Sequence, residues 1–281
     1  MSEKVHVRPL QRRERDAARA FLMRRPRENL FLLDLASQGG RAQPGEMRAE
    51  LVAGWRDHGV VGVASLRPSL CLASGIDGAM IDGLLPACES LGSGLVKSEG
   101  PTVDRLWKGL QAAGRRALVD RREIAHELEP GGGRLRSAPQ GVVLRRAQSD
   151  DLEALVFAAR ASLREEQRPD PYEGDPEGFR RWVHGRVGNA LVAEVAGRVS
   201  FVAYADVRRA EGWLLQGVYT WPAFRRRGLA AAGVSQLCEQ AFAAGATHVQ
   251  LAVVEGNRPG EALYERLGFR RFATLRTILF R

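Results

Sequence analysis

The chain has 281 residues, a net charge of +9 and 44% hydrophobic residues. This composition is typical of a globular protein with apolar residues enough for about two domains, and it excludes disordered, collagenous and coiled-coil chains. No uncharged apolar stretch approaches the roughly 20 residues of a membrane span, and the first ten residues lack the apolar segment of a signal peptide. We therefore expect a cytoplasmic protein that does not bind membranes.

The positive charge is spread over both halves of the sequence and forms no basic tail or block. A localised surface for nucleic acid is not indicated, so we expect no nucleic-acid partner. The three cysteines (Cys71, Cys88 and Cys238) are far apart, and the five histidines are isolated from one another. Neither set has the spacing of a metal site or of a disulfide framework, so we expect no bound metal.

The first half of the sequence predicts a mixed α/β unit. It opens with a short strand near Val5–Gln11, followed by a charged helix from Arg12 to Met23. Apolar periodicity then predicts further strands and helices. The strands are Glu50–Arg56, Val60–Leu66, Gly94–Ser98 and Ala117–Leu128, and the helices are Asp77–Leu91 and Val103–Ala113.

The segment Glu129-Pro-Gly-Gly-Gly-Arg-Leu-Arg-Ser-Ala-Pro-Gln-Gly141 contains three consecutive glycines and two prolines. It has no apolar periodicity, which is typical of a linker. After it, Val142–Gln148 repeats the pattern of Val5–Gln11, again before a charged helix start. We therefore predict an internal duplication, with domains at 1–130 and 142–281 joined by a linker at 131–141.

The second half predicts an alternating α/β unit that ends in one or two strands over Phe272–Phe280. Helices are expected from Asp150 to Ala161, over Pro176–Val187, from the turn at Arg225–Gly228 to about Ala244, and over Pro259–Leu267. Strands are expected at Val142–Arg146, Ala190–Val195, Val199–Ala205, Trp213–Tyr219 and His248–Val253.

The turn at Arg225–Gly228 joins an apolar strand to an alanine-rich helix. The first amides of a helix have no intrahelical partner, and the positive end of the helix dipole lies beside them. Gly228 allows close approach of a ligand, Ala230 keeps the first turn uncrowded, and the arginines add positive charge. This combination predicts a binding site for a diphosphate.

The stretch Arg225-Arg-Arg-Gly-Leu-Ala230 resembles the Q/R-x-x-G-x-G/A motif of the GCN5-related N-acetyltransferases. Downstream, Asn257-Arg-Pro-Gly-Glu-Ala-Leu-Tyr-Glu-Arg-Leu-Gly-Phe269 is similar to a second motif of that family, with its alanine displaced to position 262. The resemblance covers about residues 142–281. The segments Arg25–Phe31, Glu165–Pro171 and Gly217–Pro222 further resemble a tandem subgroup with a degenerate acetyltransferase-like N-terminal domain.

This resemblance implies an α/β fold of two similar domains, each a mixed, mostly antiparallel sheet with a splayed parallel pair and helices on both faces. It also implies acetyl-CoA as co-substrate. The backbone of Val218, Tyr219 and Thr220 would bind the pantetheine arm, and Asn257 would reach the coenzyme from the facing helix. The diphosphate site would comprise Arg225, Arg226, Arg227, Gly228, Leu229 and Ala230.

By the same resemblance, Tyr264 would donate a proton to the leaving sulfur, although a tyrosine here also suits a core position. Glu166 is the first candidate for the base that deprotonates the amine, with Glu165 as the alternative. The expected reaction is direct attack by a primary amine of a small molecule or peptide on acetyl-CoA, in a ternary complex. The sequence does not identify the amine.

Two other readings of the second half stay open: an acyl-CoA-binding regulator without transferase activity, and an interaction scaffold. The first half has no basic-glycine turn, since Leu72-Ala-Ser-Gly75 stands at that place. We therefore expect its coenzyme site to be lost. That half could shape the acceptor pocket, hold a homodimer together or stabilise the other half.

Overall fold

The computed structural model describes residues 4–37, 49–67 and 69–281. These residues form two compact units. Within the described chain, unit 1 contains residues 4–37, 49–67, 69–125 and 273–281, and unit 2 contains residues 126–272.

Twelve strands and eight α-helices occur in the described chain, together with five short 3-10 helices. The strands are β1 (His6–Pro9), β2 (Glu50–Arg56), β3 (Gly59–Arg67), β4 (Leu70–Leu72), β5 (Gly94–Glu99), β6 (Ala117–Leu128), β7 (Val142–Arg146), β8 (Ala190–Val195), β9 (Arg198–Arg209), β10 (Gly212–Thr220), β11 (Val249–Val254) and β12 (Arg270–Phe280). The helices are α1 (Arg15–Leu22), α2 (Leu30–Ser37), α3 (Gly78–Glu89), α4 (Gly100–Ala112), α5 (Leu152–Glu165), α6 (Pro176–Gly185), α7 (Leu229–Ala243) and α8 (Arg258–Leu267).

Each unit contains a mixed sheet with one parallel pair near its middle. The strand order in unit 1 is β1-β2-β3-β4-β5-β12-β6, and β4 and β5 pair in parallel. The order in unit 2 is β6-β11-β10-β9-β8-β7, and β10 and β11 pair in parallel. The other neighbours whose register is defined are antiparallel, which confirms the expected α/β class with a mostly antiparallel sheet.

The two halves of the chain repeat one order of elements: strand, two helices, three strands, helix, strand, helix, strand. The sheet of each unit includes strand residues from the other half of the sequence. In unit 1, β12 pairs with β5 from Leu275–Glu99 to Phe280–Gly94. In unit 2, the end of β6 lies next to β11. The last nine residues therefore belong to unit 1, although they follow the second half in sequence.

An ion pair near the start of each half supports the duplication in atomic detail. Arg8 donates to both carboxylate oxygens of Glu14 at 2.8 and 2.7 Å. Arg145 makes the same bidentate contact with Asp151 at 2.7 and 2.9 Å, and the two residues are again six positions apart. In both halves that carboxylate also accepts from the backbone amide three residues before it, which caps the turn leading into the first helix.

Helices cover both faces of each sheet. Adjacent residues of a strand point to opposite faces, so they pack against different helices. In unit 2, Phe201 of β9 packs in the cluster that contains α7 and α8, and its neighbour Val202 packs with α5 and α6. In unit 1, Ala64 of β3 packs with α3 and α4, and its neighbour Val63 packs with α1 and α2.

Several features of the fold differ from the sequence-based expectation. Strand β4 and helix α2 were not predicted, since one has three residues and the other is apolar on nearly all sides. Helix α4 starts at Gly100 rather than Val103, because Pro101 suits the first turn of a helix. The domain boundaries at 130 and 142 stay a prediction.

In unit 1, the buried carboxylate of Glu123 forms ion pairs that should stabilise the fold at neutral pH. The Glu123 carboxylate accepts from Lys97 Nζ at 2.5 Å and from Arg121 Nε at 3.1 Å, and its side chain is 6% exposed. Burial alone raises the pKa of Glu123, but the two cations outweigh burial and lower it to about 2. We expect Glu123→Gln to reduce the free energy of unfolding by about 3 kcal/mol at pH 7, because it leaves two partly buried cations without their counter-charge.

Urea unfolding of both proteins checks this expectation. A carboxylate with a lowered pKa stabilises the fold at neutral pH, and that stability is lost as the pH falls through the folded-state pKa. The difference between wild type and variant should therefore shrink between pH 4.5 and pH 2. Glu50→Gln, at an exposed pair with Arg67, is the matched control and should change stability by less than about 1 kcal/mol.

Candidate active site

Strand β10 has an open edge in unit 2. Its parallel pairing with β11 covers only Trp213–Val249 and Leu214–Gln250 in the described chain. Against β9 on its other side, the register shifts between Gln216 and Tyr219. Gly217 lies there with φ +58°, so the strand bulges. The second half of β10 therefore diverges from β11 and leaves backbone groups that can pair with an extended ligand.

Helix α7 begins beside the end of β10 with its first amides uncapped. Gly228 is the N-cap at φ +82°, and no described side chain bonds to this helix start. The first backbone bond runs from the Ala232 amide to the Gly228 carbonyl at 3.0 Å. The amides of residues 229–231 consequently have no partner within the helix. Because the positive end of the helix dipole lies at the same place, this end suits an anion.

The loop before α7 is held in an uncommon conformation. Arg226 adopts φ +63°, which is rare for a residue with a side chain. Arg226 and Arg227 are exposed, and the Arg227 guanidinium lies 5.3 Å from the centre of the Phe224 ring. Both side chains thus stand close to the uncapped amides in sequence and remain accessible to an anionic ligand.

Arg225 is engaged with a different part of the site. Its Nη2 donates to Glu165 Oε1 at 2.6 Å, and its Nε donates to the Thr220 carbonyl at 3.0 Å. The Tyr219 hydroxyl lies 3.4 Å from the same Glu165 oxygen. Arg225 therefore links the loop before α7 to the C-terminus of α5, and its expected contact with the coenzyme stays a prediction.

The two candidate bases at the end of α5 have different surroundings. Glu165 lies against Tyr219 of β10, whose pKa is raised by burial and by the neighbouring carboxylate. Glu166 forms the C-cap of α5, and its Oε2 lies 3.6 Å from Arg168 Nη1. The structure thus brings Glu165 into contact with the open strand, and the role of Glu166 as the base stays a prediction.

Tyr264 lies in the core of unit 2, on helix α8. It is 6% exposed and packs against the rings of His126 and Phe269, at centre-to-centre distances of 6.4 and 5.7 Å. Its hydroxyl makes no hydrogen bond to residues 4–37, 49–67 or 69–281. Burial raises the pKa of Tyr264 well above its usual range, so this hydroxyl stays protonated at neutral pH.

Asn257 is the N-cap of α8, and its Oδ1 accepts from the Gly260 amide at 3.1 Å. It stands seven residues before Tyr264, which is about two turns of the helix. The cap fixes the start of α8 and leaves the Asn257 Nδ2 group as a donor. Asn257 therefore has a structural role, and its contact with the coenzyme stays a prediction.

Unit 1 differs from unit 2 at the corresponding helix start. Helix α3 follows β4 as α7 follows β10, but its N-cap is Asp77, whose carboxylate accepts from the Ala79 amide at 2.7 Å. The Ala79 amide and Arg56 lower the pKa of Asp77, which therefore carries a negative charge where unit 2 has free amides. Such a cap opposes phosphate binding, and the expected loss of a coenzyme site from unit 1 stays a prediction.

Two features of the site escaped the sequence-based prediction. Trp221 stacks on Phe157 at 5.8 Å and contacts the edge of Tyr219 at 5.4 Å, which forms an aromatic row beside β10. Pro139 lies so close to Gly228 that a Cβ placed on the glycine would be 3.3 Å from its Cγ. Neither the stack of Trp221 on Phe157 nor the contact of Pro139 with Gly228 has a signal in sequence spacing, because each joins residues far apart along the chain.

Among the described residues, no group of three or more His, Cys, Asp or Glu side chains could hold a metal ion. Within the same residues, no helix combines the length and apolar character that crossing a membrane requires.

Comparison with known proteins agrees with the geometry of unit 2. The sequence model described as the acetyltransferase (GNAT) family matches residues 150–269. No curated protein sequence matches the chain significantly.

Solved structures resemble the chain over nearly its whole length. A Drosophila protein superposes with a TM-score of 0.73 at 16% identity, covering 97% of this chain and 98% of its own. A GCN5-related N-acetyltransferase from Sphaerobacter thermophilus gives 0.62 at 15% identity, with 98% and 95% covered. A tandem GNAT protein from the clavulanic acid biosynthesis pathway gives 0.57 at 13% identity, with 99% and 98% covered. These likenesses show the fold, and the match at residues 150–269 identifies that part of the chain as a domain of the GNAT acetyltransferase family.

Proposed function

We propose that unit 2 is an acetyl-CoA-dependent N-acetyltransferase that moves an acetyl group to a primary amine in a ternary complex. One observation carries the proposal: the uncapped start of α7, with Gly228 at φ +82°, stands at the end of a strand with an open edge. The coenzyme needs both features, because it has a diphosphate and an extended, amide-containing arm. We further propose a cytoplasmic location.

The chain offers partners for the diphosphate, the arm and the thioester of the coenzyme. The amides at the start of α7, together with Arg226 and Arg227, would hold the diphosphate. The backbone of Val218, Tyr219 and Thr220, on the side of β10 away from β9, would pair with the arm. A backbone amide at this edge can also donate to the thioester oxygen as negative charge develops on it.

The reaction then requires two proton transfers. The amine loses a proton to a carboxylate at the end of α5 as its nitrogen bonds to the acetyl carbon. The carbon–sulfur bond breaks, and the Tyr264 hydroxyl donates a proton to the sulfur. Because the Tyr264 pKa is raised, the hydroxyl is protonated throughout the neutral range.

The direct test is release of free thiol from acetyl-CoA in the presence of amines, amino acids, aminoglycosides and peptides. At least one amine should accelerate thiol release in proportion to enzyme concentration, with the N-acetyl product seen by mass spectrometry. Tight binding of acetyl-CoA without turnover against any amine would instead indicate a regulator, and no binding would indicate a scaffold.

Substitution separates the two candidate bases. Because Glu165 contacts Tyr219 of β10, we expect Glu165→Gln to lower kcat by about 100-fold, within the range for loss of an acid–base group. Glu166→Gln, which makes the same change one residue away, should stay within about threefold of wild type. The measurement is steady-state thiol release with saturating acetyl-CoA. If Glu166→Gln lowers kcat more than Glu165→Gln does, Glu166 is the base.

A further inference from the structure

Residues 129–141, which we call the strap, are fixed along unit 2 rather than extended through solvent. The Arg134 amide donates to the Leu267 carbonyl at the end of α8 at 2.9 Å. The Arg136 amide donates at 2.9 Å to the hydroxyl of Ser235, a buried residue of α7. Leu135 between them packs against the core of the unit. The strap therefore crosses from the end of α8 to the side of α7.

The strap continues from Ser235 toward the start of α7. Pro139 lies beside Gly228, with its Cγ 3.3 Å from the position of a Cβ on that glycine. The Pro139 carbonyl accepts from the Val142 amide at 3.1 Å, which fixes this end of the strap. A ligand held on the first amides of α7 thus has the strap as an immediate neighbour.

The strap is positively charged and directs its charge outward. Between Glu129 and Asp150 the sequence contains no acidic residue. Leu135 packs against the core, whereas its two neighbours, Arg134 and Arg136, are exposed to solvent. Arg136 is three residues before Pro139, a span of at most about 10 Å in an extended chain. Its long side chain can therefore reach the surface around Gly228.

Coenzyme A carries two separate phosphate groups, the diphosphate and a dianionic phosphate on the ribose 3′-hydroxyl. The start of α7 suits the diphosphate, so the 3′-phosphate requires another cation. A guanidinium is suited to this task because it can donate two parallel hydrogen bonds to a phosphate. Arg225 is already bound to Glu165, whereas Arg136 is exposed on the strap that ends at Gly228.

We infer that the strap forms one wall of the coenzyme site and that Arg136 binds the 3′-phosphate, so that the protein discriminates coenzyme A from 3′-dephospho-coenzyme A. This inference rests on the proposed function of unit 2. It assigns to the connection between the halves of the chain a role in selecting the coenzyme.

Titration calorimetry with coenzyme A and 3′-dephospho-coenzyme A tests the inference on the full chain. Wild type should bind coenzyme A about 10-fold or more tightly than the dephospho form, as expected for one hydrogen-bonded charge pair. Arg136→Ala should lose most of this preference while its affinity for the dephospho form stays within about twofold. Arg134→Ala removes the same charge two residues further from Pro139 and should keep the preference.

Other outcomes overturn the inference in distinguishable ways. If wild type binds both compounds equally, or if Arg136→Ala retains the preference, the inference is wrong and the proposed function stands. If Arg134→Ala alone abolishes the preference, the assignment to Arg136 is wrong. If wild type binds neither compound, the proposed function itself fails.

Discussion

Replacing Gly228 with glutamate should abolish measurable binding of acetyl-CoA, with a loss of at least about 100-fold in affinity. The new carboxylate would stand at the start of α7, repel the diphosphate and compete for the same amides. Loss of one or two hydrogen bonds to a charged group, together with this repulsion, accounts for about 3 kcal/mol, which corresponds to about 100-fold. Titration calorimetry at moderate ionic strength measures the effect.

The opposite end of the same helix provides a matched control. Gly245 follows α7 at φ +81°, and a Cβ there would meet nothing within 4 Å. Gly245→Glu therefore imposes the same backbone strain and the same charge away from the proposed diphosphate site. We expect its affinity to stay within about threefold of wild type. If the Gly228 variant and wild type bind acetyl-CoA with equal affinity, the diphosphate does not bind at the start of this helix.

Tyr264→Phe should lower turnover by about 100-fold and leave the affinity for acetyl-CoA within about twofold. Loss of a positioned proton donor typically reduces the rate by 10²–10⁴-fold. The phenylalanine keeps the packing of the ring against His126 and Phe269, so the fold should be preserved. The measurement is thiol release at saturating concentrations of both substrates, with calorimetry for binding.

The pH dependence of wild type gives a second check on the donor. The raised pKa keeps the Tyr264 hydroxyl protonated above the pH at which tyrosine ordinarily ionises. Ionisation of this hydroxyl should therefore not lower kcat at any pH up to about 10. Tyr204→Phe is the control, because this buried tyrosine packs with α5 and α6 on the other face of the sheet. Equal turnover of Tyr264→Phe and wild type would refute the donor role.

Much of the fold could be predicted because local patterns determine it. Strand Val142–Arg146 and strand Ala190–Val195 end at the predicted residues, and Gly268 ends α8 in the left-handed conformation as its position suggested. The short β4 has too few residues for a periodic signal. The pairing of β12 with β5 in unit 1 also has no local signal, since the partners are far apart in sequence.

The candidate site was only partly predictable for the same reason. Gly228 and its helix start follow from a local motif that fixes backbone conformation. The partner of Arg225 does not, because Glu165 reaches it from another helix, 60 residues earlier in the chain. The glycine-rich segment suggested a linker by composition alone, whereas its attachment depends on Ser235 of α7.

Unit 1 differs from unit 2 at the two features that the proposed coenzyme site requires. Its parallel pair is present, but β4 has only three residues and offers little open edge. Its helix start is capped by the Asp77 carboxylate instead of a glycine. One acidic N-cap stabilises the helix by about 1 kcal/mol and also occupies the amides that a phosphate would need. We therefore expect the chemistry proposed for unit 2 to be absent from unit 1, although the order of elements is the same.

A crystal structure of the protein with bound acetyl-CoA tests the central claim most directly. We expect diphosphate oxygens within about 3 Å of the amide nitrogens of Leu229 and Ala230, and the arm along Val218–Thr220. A coenzyme bound elsewhere, with the first amides of α7 turned toward protein groups or solvent, would contradict the account.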